Sequence, residues 1–307
     1  MIAAPSFLAD ALLPPLQGGR FGTVGLTAVP ILMMAAALGL YLWGVVRNDR
    51  LHPRHPWPRR RTAAFAGGIA VTAVAVLSFI GAYDGVLFWD HMIQHLLLIM
   101  VAGALFAVGS PIDLAWRATA GVAHCRVGRV LRSGPANAVG HPIVAYAVYA
   151  LVIPLTHLTS LYNYTLVTEQ VHDTEHLVYL VVGYLFFRQI FGSDPNCYRM
   201  HPALQALYLF VAVPIDTFVG LSLDNETREI FPAYTAMHRQ WGVSLVQDLH
   251  IGGVIMWVGG DTLMMLALIP VALQWLRLEE RKALRADREL DAEDAVYGDG
   301  PDLVTPG

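Results

Sequence analysis

Apolar residues in this chain run in long blocks, and the polar residues collect between them. Blocks near 23–46, 62–82, 91–109, 141–158, 172–191, 201–223 and 250–276 each approach the ~20 residues that cross a bilayer core as a helix. In hydrocarbon every backbone N–H and C=O needs a partner within the protein, which leaves helices or closed barrels. None of the blocks is short enough, or alternates strictly enough, to be a barrel strand. The pattern predicts an all-α fold, a polytopic membrane bundle of seven transmembrane helices over 23–276. A flexible extracytoplasmic N-terminus at 1–22 precedes it, and a basic-then-acidic cytoplasmic tail at 277–307 follows. No internal repeat and no separate soluble domain is evident.

Composition supports the same picture. Hydrophobic residues make up 55% of the 307 and charged residues only 14%, against about 25% charged in a soluble domain. The lipid bilayer is therefore an expected partner, and nucleic acid is not. Residues 1–22 lack the basic start and short apolar core of a secretory signal, so the first helix is expected to be retained.

Charge adds direction. All but three of the 20 basic residues fall in alternate connections or in the tail, the exceptions being Arg20, Arg228 and Arg239. The positive-inside rule then places the N-terminus outside and the C-terminus in the cytoplasm, which requires an odd number of spans and agrees with seven. Cys125 and Cys197 fall in different cytoplasmic loops without CxxC spacing, so no disulfide is expected.

This topology sorts the histidines. His52, His55 and His124 belong to cytoplasmic loops. His141 and His201, each followed by Pro, suit helix starts. The other seven collect at the outer side. His91 and His95 open the third helix, His157 closes the fourth, His172 and His176 open the fifth, His250 opens the seventh, and His238 lies in the loop before it. Two of these sets are His-x-x-x-His pairs, which on a helix share one face about 6 Å apart. Two such pairs entering from one side can bring four imidazoles to one ion, with His157 and His250 joining from neighbouring helices. Imidazole is a common ligand of copper, zinc and iron.

Asp90, Glu169, Asp173, Glu175 and Asp248 accompany the histidines, where carboxylates can ligate directly or orient the rings. Their alternative role is as helix-start residues favoured by the helix dipole. Methionine thioethers favour Cu(I), and among the methionines of the third and seventh helices Met256 is best placed, below His250. Asp216 and Asp261 lie deeper and leave a proton-relay or structural role open.

The stretches HMIQHLLLIMVAGALFAVGSP at 91–111, THLTSLY at 156–162, EHLVYLVVGYLFF at 175–187 and DLHIGGVIMWVGGD at 248–261 resemble the CtaG-type cytochrome c oxidase assembly proteins of bacteria. The resemblance covers roughly residues 21–285, and the closing LQWLRLEERKALRADREL is similar to actinobacterial members. It implies a multi-pass plasma-membrane protein needed to make active haem–copper oxidase, with copper delivery to the oxidase as its task. His91 and His95 match the paired histidines of the third-helix motif. His176 matches the histidine of the Glu-His motif, His157 the one closing helix four, and Asp248 the aspartate before Gly-Gly. Leu249 and His250 stand where the family often has glutamines, so His250 and His172 are assigned from topology alone.

Together these readings predict an assembly factor and metallochaperone, not an enzyme. Copper, with Cu(I) favoured, is expected near the outer face on His91, His95, His172 and His176, helped by His157, His250, Asp248 and Met256. An extracytoplasmic copper donor would supply the ion and a cytochrome c oxidase subunit would receive it. A haem-binding redox protein with His95 and His176 as axial ligands is a second reading. A coupled transporter using Asp216 and Asp261 is a third. Both pairs lack the Glu of HExxH, and no GxSxG or P-loop occurs, which sets hydrolase chemistry aside.

Overall fold

The structure is a computed structural model that describes residues 28–195, 198–236, 239 and 241–297, with side chains described through 292. The expected flexible segment at 1–22, Cys197, His238 and the last part of the tail lie outside the described residues. Among those described, the chain is all-helical with no strand.

Its principal helices are α1 (Ala28–Leu51), α2 (Arg59–Leu77), α3 (Phe88–Leu96), α4 (Gly103–Gly109), α5 (Pro142–His157), α6 (Ser160–Val167), α7 (Glu169–Phe191), α8 (Pro202–Asp224), α9 (Pro232–Ala236), α10 (Leu245–Val254) and α11 (Gly260–Tyr297). A π-helical segment, Leu97–Ala102, joins α3 to α4, and a second, Ile255–Gly259, joins α10 to α11. Such segments often mark functional sites.

Five helical stretches are long and apolar enough to cross a membrane: Ala28–Leu51, Arg59–Tyr83, Phe88–Arg117, Pro202–Asp224 and Leu245–Ala292. The pair α5 and α6 qualifies only as one span bent by 71°. Helix α7 has the length, 23 residues, but Glu169, Asp173, Glu175 and Arg188 reduce its apolar character. The expected fifth span is thus long enough yet polar where it carries the candidate site. Large apolar side chains face outward along the bundle, Leu40 at 68% exposure and Phe210 at 64% among them. That is the surface a lipid-embedded bundle presents and a soluble one avoids. The last helix also runs past the expected end near 276 to Tyr297.

Helix α3 with its continuation α4 packs against α2, α7 and α10, while α5 bridges α7 and α8, and α8 lies along α10 and α11. The main core fills this ring. A smaller cluster of Tyr41, Trp57, Phe65 and Leu114 holds α1 to the outside.

Two glycine contacts set the depth of these helices. A Cβ on Gly103 would lie 2.7 Å from the Gly183 carbonyl carbon, and one on Gly183 would lie 2.0 Å from the Ile99 carbonyl oxygen. Helices α3–α4 and α7 therefore cross backbone to backbone, as small residues allow in membranes. Gly220 and Gly253 do the same for α8 and α10, a Cβ on Gly220 meeting the Gly253 carbonyl oxygen at 2.7 Å.

At the helix starts, His141 accepts the Ile143 N–H at 3.2 Å and His201 the Ala203 N–H at 3.3 Å. Both therefore serve as N-caps.

Candidate metal centre

The i, i+4 spacing puts each histidine pair on one helical face. On α3 the His91 and His95 rings lie 4.2 Å apart between centroids, and on α7 the His172 and His176 rings lie 4.3 Å apart. The glycine crossing sets the two helices face to face, so that His91 and His172 approach to 5.1 Å. His91 is fully buried, and His95, His157, His176, Glu175, Asp84 and Gln94 are buried around it.

Hydrogen bonds fix the ring tautomers, because several partners can only accept. His157 Nδ1 faces the Ile153 carbonyl at 2.9 Å and must donate to it. Its Nε2 then carries the lone pair and accepts from His95 Nδ1 at 3.0 Å. His95 Nε2 is left with a free lone pair. His91 Nδ1 faces the Asp84 carbonyl at 3.2 Å, so it donates there and its Nε2 is likewise free.

Both free nitrogens approach the same atom. Glu175 Oε2 lies 3.8 Å from His95 Nε2 and 3.9 Å from His91 Nε2. All three atoms are buried and none has a hydrogen-bond partner. Leaving one such group unsatisfied costs about 1–3 kcal/mol, so three in one place make this spot a candidate ligand site. Two imidazoles and a carboxylate are a set that divalent transition metals accept.

Polar residues from other elements support this spot. Gln94 donates through Nε2 to Asp84 Oδ2 at 2.8 Å and to the Ala75 carbonyl at 3.0 Å. Both partners are acceptors, so its Oε1 faces His176, whose Nε2 donates to it at 2.9 Å. Tyr179 donates to Thr156 at 2.7 Å and approaches Glu175 Oε1 at 3.3 Å. Over the site, the Tyr234 hydroxyl donates to the Asp84 carbonyl at 3.0 Å and accepts from Tyr162 at 3.0 Å. That brings α9 down as a cover.

Of the sequence-predicted residues, the structure brings His91, His95, His172 and His176 together and puts His157 behind His95. Asp248 and His250 stand apart. Asp248 accepts the N–H groups of Phe88 and Trp89 at 3.2 and 3.0 Å, capping α3 from α10, and pairs with Arg239 at 3.2 Å. His250 Nε2 donates to the Glu226 carbonyl at 2.8 Å. Met256 lines a small cavity with Met92, Met100, His95, His157 and Asp216. Asp216 accepts from Tyr149 at 2.7 Å, and Asp261 accepts from Thr217 at 2.9 Å.

Sequence reasoning passed over Asp84 and Gln94. Gln94 carried a signal, a polar residue between the two histidines of HMIQH in an otherwise apolar run. Asp84 lies in a connection, and nothing in its local pattern separates it from an ordinary loop aspartate.

The fold and site define a class: a helical membrane protein with a histidine–carboxylate pocket among its helices. Residues 39–278 match the family model for the cytochrome c oxidase caa3 assembly factor (Caa3_CtaG), and the chain belongs to that family. It is 27% identical over 295 residues to an uncharacterized protein of Mycobacterium leprae, covering 93% of this chain and 44% of the relative. It is 28% identical over 245 residues to uncharacterized proteins of Mycobacterium bovis and Mycobacterium tuberculosis, covering 77% of this chain and 37% of each relative. The chain thus spans less than half the length of these relatives. No solved structure matches it.

Proposed function

We propose that this protein acts in cytochrome c oxidase assembly by binding copper at His91, His95 and Glu175 and handing it to an oxidase subunit. Copper is cargo in this reading, and the role is not catalytic. One observation carries it: three buried, unpartnered ligand atoms, two of them in tautomers set by their hydrogen bonds, lie within 4.8 Å of one another. Family membership supplies the assembly context.

The carboxylate makes this set harder than methionine or thiolate and suits Cu(II). Cu(I), which the sequence favours, is better served by the adjoining cavity, where Met92, Met100 and Met256 meet His95 and His157. His157 orients His95, Asp248 holds the start of α3, and His250 ties α10 to the Glu226 carbonyl. These three act by positioning.

The reading places the protein in the plasma membrane with seven spans, counting the bent α5–α6 pair and the polar α7. The N-terminus is outside and the site near the outer face, where an extracytoplasmic donor can load it.

The test is the copper content of detergent-purified protein after anaerobic Cu(I) loading and, separately, Cu(II) loading, compared with a His91→Ala/His95→Ala variant. Stoichiometric copper in the wild type, with one ion per chain fewer in the variant, supports the reading. A folded wild-type protein that takes up neither form overturns it.

A further inference from the structure

We propose that the pocket holds two metal ions, the second bound by Asp84, His172 and His176. This rests on the copper-binding reading above and adds a site to it.

The ligand atoms of the six residues fall into two sets. Those of His91, His95 and Glu175 all lie within 4.8 Å of one another, as do those of Asp84, His172 and His176. With bonds of about 2.1 Å, the ligand atoms of one tetrahedral ion stand about 3.4 Å apart. Each set has near that spacing: His172 Nε2 is 3.7 Å from Asp84 Oδ2, beside the 3.8 and 3.9 Å of the first set.

The second set also has an unsatisfied atom and an orienting partner. His172 Nε2 is buried without a hydrogen bond, although a carboxylate oxygen is its neighbour. At 3.7 Å the two are too far apart for a hydrogen bond, and the gap is that of two ligands flanking an ion. Gln94 serves both members: it donates to Asp84, and by accepting from His176 Nε2 it leaves Nδ1 with the ligand lone pair.

Charge favours a second cation. Asp84 and Glu175 are buried within 4 Å of histidine nitrogens, and Asp90 is fully buried. Among the described residues the ion pairs of Asp84 and Glu175 are with histidines only, and both oxygens of Asp90 are buried without a partner. Buried carboxylates are costly to charge, and a cation at each of Asp84 and Glu175 offsets that cost at both.

Exposure gives the two subsites an order. The side chains of His172 and Asp84 are 18% and 12% exposed, while those of His91 and Glu175 are 0% and 3% exposed. The shallower subsite meets an incoming ion first, and the contact of His172 with His91 makes the inner one its next stop.

The experiment is Cu(II) loading of the full chain in detergent, removal of excess copper, and measurement of metal per chain together with the electron paramagnetic resonance spectrum. The expected result is about two ions per chain with a half-field signal from dipolar coupling between close ions. In Asp84→Asn/His172→Gln the content falls to about one, the coupling is lost and the remaining ion loads more slowly. His91→Ala/His95→Ala keeps about one, in the shallower subsite.

A wild-type content of one that the Asp84→Asn/His172→Gln pair does not change overturns the second subsite and leaves the first intact. Two bound ions without coupling also overturn it, by locating the second ion elsewhere. That readout needs no variant, so a misfolded mutant cannot obscure the answer. A folded wild-type chain that binds no copper overturns the underlying reading instead.

Discussion

His95 donates from Nδ1 to His157 Nε2 at 3.0 Å, and His157 in turn is held by the Ile153 carbonyl. The relay determines which nitrogen of His95 carries the lone pair, so it ties a residue of α5 to the chemistry of α3. Replacing His157 with Leu removes the acceptor and frees the His95 ring to rotate. Copper affinity should fall about 10–100-fold, the usual effect of losing a ligand's orienting partner, with the number of ions bound unchanged. His157→Gln retains an acceptor oxygen and should recover part of the loss. Competition titration with a copper chelator measures both. Loss of an entire ion in His157→Leu would mean that His157 ligates directly.

The contact between Gly183 and the Ile99 carbonyl makes a different prediction. A methyl group there would sit 2.0 Å from the oxygen, so Gly183→Ala must push α7 away from α3. Overpacking of this kind costs roughly 1–3 kcal/mol. Here it should also separate the two histidine pairs, so melting temperature and copper content drop together. Gly39→Ala is the control, since nothing lies within 4 Å of a Cβ at that position. Equal behaviour of the two variants would mean that the crossing does not position the site.

These contacts also show how far the sequence could be read. The His-x-x-x-His pairs were legible because helical periodicity alone puts i and i+4 on one face, and the apolar blocks located the helices. Which residues complete the site depends on crossings that periodicity does not encode. Asp84 joins through its loop and Gln94 through a bridging amide. His250, at the same expected depth as the pairs, donates to the Glu226 carbonyl instead. Helix α7 illustrates the converse: Glu175, one of the charges that reduce its apolar character, is the one the site uses.

Asp248 and Arg239 are both nearly fully buried and stand 3.2 Å apart. Removing one partner of such a pair leaves the other charge uncompensated, at about 3–5 kcal/mol. Asp248→Ala should therefore destabilise the protein strongly, with part of the loss due to the α3 cap. The double variant Arg239→Ala/Asp248→Ala should lose less than the two single changes added together. Thermal unfolding of the four proteins in the same detergent measures the coupling. Strict additivity would mean that Asp248 acts through its cap alone.

Acidity should release the metal, and the sign follows from the ligands. Each histidine must offer a lone pair, so protons compete with the ion and binding expels them. Free imidazole titrates near pH ~6.5 and a glutamate carboxyl near ~4.3. Loss of affinity between pH 8 and pH 5 therefore reports protons competing with the ion for the ligand atoms of the site. The expected profile is flat at the alkaline end and falls as pH drops, steeply because several groups bind protons in place of the ion. Far-ultraviolet circular dichroism at each pH separates this from unfolding. Affinity at pH 5 equal to that at pH 8, in protein that stays folded, would rule out histidine ligation.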